Sequence, residues 1–233
     1  MQTRTEVTLT MRRGESLLLI LGIPVLLLIF FTAVDVLPTN GEKSIDFLTP
    51  GILALAVMST AMVSLGIATG FERSYGVLKR LGATPLGRPR LVAAKTASVV
   101  LVEIVQFIVL IPIAFALGWD PTGSWLLALA GVVLGTVAFA GIGLTLAGNL
   151  RGEVNLAAAN ALYLVLLLFG GMVFSLDKLG GLGQVARFLP SAALSQVLRQ
   201  AFVAGHAPLQ AWVILTVWAV IAPLVAARTF HWE

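Results

Sequence analysis

The 233-residue sequence contains no cysteine and only two histidines, His206 and His231. Without cysteine, the chain has no disulfides, no thiol catalysis and no thiolate ligands for a metal ion. The two histidines fall in different predicted loops, so we expect no metal site in this chain.

Charge is also scarce. Only 11% of the residues are charged while 58% are hydrophobic, and the mean hydropathy is +0.99. These values predict an integral membrane protein, with residues 1–233 forming a single transmembrane domain in a lipid bilayer. The net charge of +4 does not indicate a nucleic-acid partner, because the basic residues flank hydrophobic runs, where they set orientation.

Six hydrophobic runs have the length of roughly 20 residues or more that is needed to cross a hydrocarbon core. They predict an all-α fold with six transmembrane helices, at about residues 16–36, 50–71, 92–117, 124–149, 154–175 and 209–227. The first run follows Arg12-Arg13, as in a signal peptide. Its apolar part is longer than a usual signal core and no small-x-small cleavage site follows, so we interpret it as a retained helix.

The basic residues predict the orientation of these helices. With both termini inside, 11 of the 15 lysines and arginines lie on the cytoplasmic side, and only Lys43, Lys178, Arg187 and Arg199 lie outside. The positive-inside rule therefore favours an N-in, C-in arrangement. We expect a multi-pass protein of the cell (plasma) membrane.

Between the second and third spans lies a charged segment, residues 72–85. Its apolar residues Tyr75, Leu78 and Leu81 recur every three positions, and Gly82 and Thr84-Pro85 follow. This pattern predicts a short amphipathic cytoplasmic helix that seats the membrane domain on a soluble partner. The alternative is that its basic residues only hold the loop inside.

Small and helix-breaking residues interrupt several spans. Glycines at small-xxx-small spacings allow close helix packing, either within the chain or at a subunit interface; they are Gly66 and Gly70 in the second span and Gly131, Gly135, Gly141, Gly143 and Gly148 in the fourth. Pro24 and Pro112 lie inside spans and are expected to kink them, with neighbouring groups or water satisfying the carbonyls that they free.

The segment 176–208 is too polar for a span and too apolar for a solvated loop. Pro190-Ser191 is expected to open an amphipathic helix with Ser191 as the N-cap, and Arg199 lies on its polar face. This pattern predicts an interfacial or re-entrant element on the outer side. It is either an inert cap or part of an outer gate.

No catalytic pattern accompanies these elements. The sequence has no G-x-x-x-x-G-K-[ST], H-E-x-x-H or G-x-S-x-G motif, and no paired carboxylates inside a span. We therefore expect no enzymatic activity in this chain and no ATP bound by a P-loop.

With these features, the chain resembles the membrane subunits of type-2 ATP-binding-cassette exporters. In that family the first cytoplasmic loop carries a pattern close to E-R-x-x-G-[TS]-L-x-x-L-x-x-T-P. The residues that match it are Glu72, Arg73, Gly76, Leu78, Leu81, Thr84 and Pro85, with Arg88 and Lys95 behind them. Val77 departs from the usual hydroxyl residue, and the N-terminal head is shorter than the family's amphipathic helix.

The resemblance implies a permease subunit that forms the substrate pathway as a homo- or heterodimer and docks a separate cytoplasmic ATPase. ATP and Mg would belong to that ATPase, leaving no cofactor in this chain, and the membrane would be the inner membrane of a bacterium. The expected ATPase-coupling residues are Glu72, Arg73, Tyr75, Gly76, Leu78, Lys79, Arg80, Leu81, Thr84 and Pro85. If the segment 176–208 forms part of an outer gate and not an inert cap, the residues expected in that gate are Pro190, Ser191 and Arg199.

Glu103 is the one carboxylate near the middle of a span, and Gln106 follows about one helical turn later. A charge at that depth costs a few kcal/mol. The pair would line the transport path or form a proton-linked site; the alternative is that it is a protonated or hydrogen-bonded packing contact.

Two other functions fit parts of the sequence. A membrane scaffold or assembly protein could bind another cytoplasmic factor through the same basic loop. A membrane-embedded enzyme acting on lipid is disfavoured because nucleophile and acid–base groups are missing. The apolar spans are compatible with a lipid, a hydrophobic drug or a glycan carrier as substrate.

Overall fold

The computed structural model describes residues 14–34, 44–82, 87–172, 181–203 and 209–231, with side chains given outside 14–19 and 80–93. In this part of the chain every regular element is a helix. The helices are α1 Gly14–Val34, α2 Ser44–Ser74, α3 Val77–Gly82, α4 Gly87–Ala116, α5 Trp125–Asn149, α6 Gly152–Phe169, α7 Gly181–Ala186, α8 Pro190–Val203 and α9 Leu209–Thr229.

Five of the described helices are long and apolar enough to cross a membrane. They are Ser44–Ser74, Ala94–Ala116, Trp125–Asn149, Gly152–Phe169 and Leu209–Thr229. The apolar stretch described within α1, Ile20–Val34, is shorter than these. Five of the six predicted spans therefore correspond to membrane-length helices. The first predicted span, which contains α1, stays a prediction.

The fifth span ends earlier than predicted. Helix α6 stops at Phe169, and Gly170–Met172 turns the chain, with Gly171 at a φ of +62°. Glycine reaches this left-handed conformation without the steric cost that a Cβ would add. Residues 170–172, which lie at the edge of the span predicted at about 154–175, are therefore beyond the helix, and 173–175 lie outside the described residues.

Helix α5 is the centre of the bundle, in contact with α2, α8 and α9. Its glycines make these contacts close. Gly143 lies against the backbone of Met62 and of Gly66 in α2, and Gly135 lies against Leu194 in α8. These contacts confirm that the small-residue spacings serve packing within the chain, because a side chain at Gly143 would meet backbone atoms.

Helix α2 is the most enclosed of the long helices. Almost every residue from Ile45 to Met62 is buried, and the helix widens into one π-helical turn at Ser59–Ser64 before it continues to Ser74. Such single π turns within α-helices occur often at functional sites. Large apolar side chains cover the outside of the other spans, for example Ile108 and Leu126, as a lipid-facing surface requires.

Candidate functional site

The charged segment after α2 is divided by a turn. Glu72 and Arg73 belong to the last turn of α2, Tyr75 and Gly76 form the turn, and α3 begins at Val77. Gly76 has a φ of +67°, a conformation that favours glycine and breaks the helix at this point. The predicted single helix through Tyr75, Leu78 and Leu81 is therefore wrong, because Tyr75 precedes α3.

Leu78 points into the protein and not toward a partner. It is 1% exposed, and α3 packs against α2 and α4. Tyr75 and Val77 are instead 71% and 37% exposed, and Lys79 is exposed as well. The exposed side of the α2–α3 junction therefore comprises Tyr75, Val77 and Lys79.

Four of the predicted coupling residues cannot be placed in this way. The side chains of Arg80 and Leu81 and the whole of Thr84 and Pro85 lie outside the described residues. Their part in a docking surface stays a prediction from the sequence.

Glu72 and Lys95 tie the end of α2 to α4. The Lys95 ammonium lies 2.5 Å from the Glu72 carboxylate, and the lysine side chain is 10% exposed while that of the glutamate is 33% exposed. Because the pair is only partly screened by solvent, it fixes the two helices more firmly than a surface ion pair would. Glu72 of the sequence motif and Lys95 behind it are therefore paired with each other within the chain.

Arg73 and Ser74 satisfy the ends of two further helices. The Arg73 guanidinium donates to the carbonyl of Ala147, at 2.9 Å, near the C-terminus of α5, where a cation also complements the helix dipole. The Ser74 hydroxyl accepts from the first backbone N–H of α6, on Gly152, at 3.0 Å. Arg73, which we expected among the ATPase-coupling residues, therefore makes an internal contact in this conformation, and its part in coupling stays a prediction.

These contacts bring one end of the bundle together, which we call the α3 end. In addition to α2, α4, α5 and α6, it includes the end of α9, where Asn149 donates to the Thr229 hydroxyl at 3.1 Å. One turn deeper, the Asn155 amide of α6 donates to the carbonyl of Gly66 in α2, at 2.9 Å. The α3 end is therefore a set of helix termini that cap one another.

Glu103 and Gln106 are both buried inside the chain, at 3% and 0% exposure. The hydroxyl of Thr136 in α5 lies 2.8 and 3.0 Å from the two carboxyl oxygens of Glu103. Gln106 accepts from the hydroxyl of Thr60 in α2 at 2.9 Å. In this conformation the two residues are hydrogen-bonded packing contacts between helices, and their part in a transport path stays a prediction.

At the opposite end of the bundle, which we call the α8 end, α8 is inserted among the other helices. It packs against α2, α5 and α9, and it is buried over most of its length. Pro190 is its first residue, so Ser191 lies inside the helix and is not the predicted N-cap. The Ser195 hydroxyl bonds to the carbonyl of Gly170 at 2.9 Å, which links α8 to the end of α6.

Arg199 of α8 anchors the turn after α6. Its guanidinium donates to the carbonyls of Gly171 at 2.5 Å and Met172 at 3.0 Å, donates to that of Phe47 at 3.2 Å, and stacks 3.6 Å over the Phe47 ring. Burial lowers the pKa of Arg199 to about 9, so the group is still a cation at neutral pH. One buried cation therefore joins α2, α6 and α8.

An aromatic cluster beside α8 was not predicted from the sequence. The rings of Trp119, Trp125 and Phe202 lie 5.0 to 5.8 Å apart, and Phe115 extends the group. Backbone bonds from Gly123 and Ser124 to the last turn of α8 hold the loop in place. The signal that could have indicated this cluster is the group of aromatic residues between the end of α4 and the start of α5.

No group of three or more metal-ligating side chains occurs among the residues that the structure describes. The site therefore has two parts, both built from helix ends: a junction at α3 with exposed apolar and basic residues, and an inserted helix at α8. A helical membrane domain of this kind, with an apolar exterior, is a multi-pass membrane protein.

A comparison with models of protein families identifies the family to which this membrane protein belongs. The model of the ABC-2 type transporter matches residues 3–203, and the chain therefore belongs to that family. It is a permease component of an ABC transporter, a class of membrane protein that works with an ABC ATPase. A comparison with individual curated proteins finds no match.

Proposed function

We propose that this chain is the permease subunit of an exporter, that it works as a pair of permease subunits, and that a separate ATPase docks at its α3 end. ATP and Mg would be bound by that ATPase. Membership of the ABC-2 type transporter family supports the role of permease component. The observation that carries the docking site is the α2–α3 junction, where exposed Tyr75 and Val77 stand on a rigid set of helix ends.

The charge distribution supports a cytoplasmic position for the α3 end. Six of the basic residues lie between Arg73 and Lys95, and Arg151 and Arg228 flank the ends of α6 and α9 at the same end of the bundle. Basic residues next to spans concentrate on the cytoplasmic side. With this orientation an ATPase in the cytoplasm faces Tyr75, Val77 and Lys79.

The internal contacts give a route from the ATPase to the spans. Displacing α3 moves α2 and α4, on which it packs, and the Glu72–Lys95 pair holds these two helices together. Arg73 extends the connection to α5 through the carbonyl of Ala147. Closure of the ATPase would thus move four helix ends as one body, the kind of rigid-body shift that re-orients domains.

At the α8 end, we propose that α8 closes the outer side of the path. Pro190 and Ser191 begin a buried helix, and Arg199 fastens it to the backbone after α6. Opening would require Arg199 to exchange these carbonyls for water or for another acceptor. Glu103, buried between α4 and α5, would reach the path only after such a rearrangement.

The docking surface is tested with Tyr75→Ala combined with Val77→Asp. Neither side chain is buried, so folding is retained, and a charge in an apolar contact should lower recovery of the ATPase about tenfold or more. The measurement is the amount of P-loop ATPase that co-purifies with the chain from native membranes, together with the ATP hydrolysis of the preparation. Leu78→Asp is unsuitable because Leu78 is buried.

The matched control is Val185→Asp in α7, the same substitution at an exposed valine away from α3. It should leave recovery of the ATPase unchanged. If the Tyr75/Val77 double variant retains the ATPase as well as the control does, this surface is not the docking site. Recovery of the native chain with a different cytoplasmic protein, and no ATPase, would favour a scaffold.

A further inference from the structure

Helix α1 contains a proline whose effect on the backbone is compensated by another helix. Pro24 lies inside α1 and has no backbone N–H, so the carbonyl four residues earlier, on Ile20, loses its partner within the helix. The side-chain amide of Gln106 in α4 donates to that carbonyl, at 3.0 Å. Gln106 thus replaces the hydrogen bond that Pro24 removes.

The same amide group also contacts the irregular turn of α2. The carbonyl oxygen of the Gln106 side chain accepts from the hydroxyl of Thr60, at 2.9 Å, and Thr60 lies in the π-helical turn Ser59–Ser64. Thr60 is 2% exposed and Gln106 is 0% exposed. Both hydrogen-bonding ends of one buried amide therefore go to helix irregularities, one in α1 and one in α2.

Prolines and π turns are the positions at which long helices bend. In this membrane domain two such positions are joined by one side chain. We call the part of α1 and α2 around them the hinge level, and the Gln106 side chain with its two hydrogen bonds the latch. In an apolar interior, water does not compete for the two hydrogen bonds of Gln106, so both persist in this conformation. A bend of α1 at Pro24 or of α2 at the π turn would lengthen the bond that Gln106 makes to that helix.

We propose that Gln106 is a positioning residue for transport, and that it latches the Pro24 bend of α1 and the π turn of α2 in the conformation described here. Transport would then bend both helices at this level as the latch opens. This inference deepens the proposed function, on which it rests. It assigns the moving segments to the halves of α1 and α2 on either side of Pro24 and Thr60.

The latch itself is tested by a double-mutant cycle that needs no ATPase. Gln106→Leu removes both hydrogen bonds and should lower the midpoint of thermal unfolding of the full chain in detergent by about 5 °C. Pro24→Ala restores a backbone N–H at residue 24 that can donate to the carbonyl of Ile20. In that background Gln106→Leu should cost about half as much, because the carbonyl is already satisfied.

The control is Thr60→Val, which removes only the bond to α2. Its cost should be the same with Pro24 and with Pro24→Ala, because that bond does not involve α1. If Gln106→Leu also costs the same in both backgrounds, Gln106 does not replace the bond lost at Pro24 and the latch is wrong. Should Gln106→Leu prevent folding in both, Gln106→Asn repeats the cycle with a polar side chain too short to reach.

The hinge is tested by spin-label distances, which are simple to place because the chain has no cysteine. Val34→Cys and Leu126→Cys put labels on exposed positions at the end of α1 and the start of α5. The distance should change between the nucleotide-free and the vanadate-trapped complex. Pro24→Ala should suppress the change, and Gln106→Leu should give part of it without nucleotide.

The outcomes separate the two proposals. A native chain that never recovers an ATPase contradicts the proposed function, while the unfolding cycle still reports on the latch. A nucleotide-dependent distance that is the same in the native, Pro24→Ala and Gln106→Leu complexes contradicts the hinge although the exporter proposal survives. Coupling in the cycle together with altered distances supports both parts of the inference.

Discussion

At the scale of single residues, three polar side chains of this domain bond to backbone carbonyls that the helices leave unsatisfied. Arg199 binds the carbonyls after α6, Arg73 binds a carbonyl at the end of α5, and Gln106 binds the one that Pro24 frees. An unpaired carbonyl in an apolar environment costs several kcal/mol. Each of these polar residues therefore stabilises the fold as well as serving any role in transport.

The sequence indicates which polar residues matter but not their partners. Glu103, Gln106 and Arg199 stand out because polar groups are rare in such apolar segments. Their partners are distant in sequence, in helices α1, α2 and α5 and in the turn after α6, and depend on how the helices are rotated. For Gln106 one half of the answer was available, because a proline in a span predicts a carbonyl that needs a donor.

The carboxyl of Glu103 can be tested by changing it to an amide. Glu103→Gln keeps an acceptor for Thr136, so the chain should fold with its unfolding midpoint within about 2 °C of the native value. The measurement is the ATP hydrolysis of the reconstituted complex, which transported lipid-linked and hydrophobic compounds are expected to stimulate. If the carboxyl contacts substrate during transport, the Glu103→Gln complex should need about tenfold more compound than the native complex for the same stimulation.

Thr136→Val provides the comparison for Glu103→Gln, because it removes the partner hydroxyl and leaves the carboxyl in place. It should affect stability more than stimulation. Unchanged stimulation of the complex with Glu103→Gln would mean that Glu103 is a packing residue only.

At the scale of helices, the long apolar runs predicted their elements well and the short ones poorly. The fourth span was predicted at 124–149 and is observed at Trp125–Asn149, with the Ser124 hydroxyl capping its first turn. This agreement arises because apolar length and a cap residue act locally. The segment after α2 was misjudged because a three-residue spacing concealed the turn that Gly76 makes.

Close helix contact at glycine gives a prediction at this scale. Gly143→Ala places a Cβ against the backbone carbonyl of Met62, so α2 and α5 must separate at the π turn. The expected cost is about 2 kcal/mol in the free energy of unfolding. Thermal unfolding of the purified chain in detergent measures it as a lower midpoint.

Gly22→Ala is the matched control, because a Cβ on Gly22 of α1 would meet nothing within 4 Å. Alanine is a better helix former than glycine by up to about 1 kcal/mol, so this variant should be neutral or slightly stabilised. A cost for Gly143→Ala no greater than that for Gly22→Ala would show that the contact between α2 and α5 is not tight.

At the scale of the whole molecule, the bundle is tied at both ends and packed around α5. At the α3 end helix termini cap one another, and at the α8 end Arg199 and the aromatic cluster fix an inserted helix. In the mechanism that we propose, a domain joined in this way would transmit a displacement at one end to the other through packed helices. Composition predicted the class and the apolar exterior, but the insertion of α8 depends on long-range packing that local patterns do not encode.

The arrangement of the domain in the membrane is the prediction that belongs to this scale. Because the chain has no cysteine, single cysteines report the side on which each segment lies. Val77→Cys and Arg151→Cys at the α3 end should react with an impermeant maleimide only after cells are permeabilised. Asp120→Cys, in the exposed loop between α4 and α5, should react in intact cells.

The same assay decides whether α1 also crosses the membrane, which would bring the number of spans to six. If α1 crosses the membrane, Thr3→Cys is cytoplasmic and stays unlabelled in intact cells, like Val77→Cys. If α1 does not cross, the two positions lie on opposite sides, and Thr3→Cys reacts from outside while Val77→Cys does not. The positive charge of Arg4, Arg12 and Arg13 before α1 favours the first outcome, because moving three arginines across the bilayer opposes the field that orients the other spans.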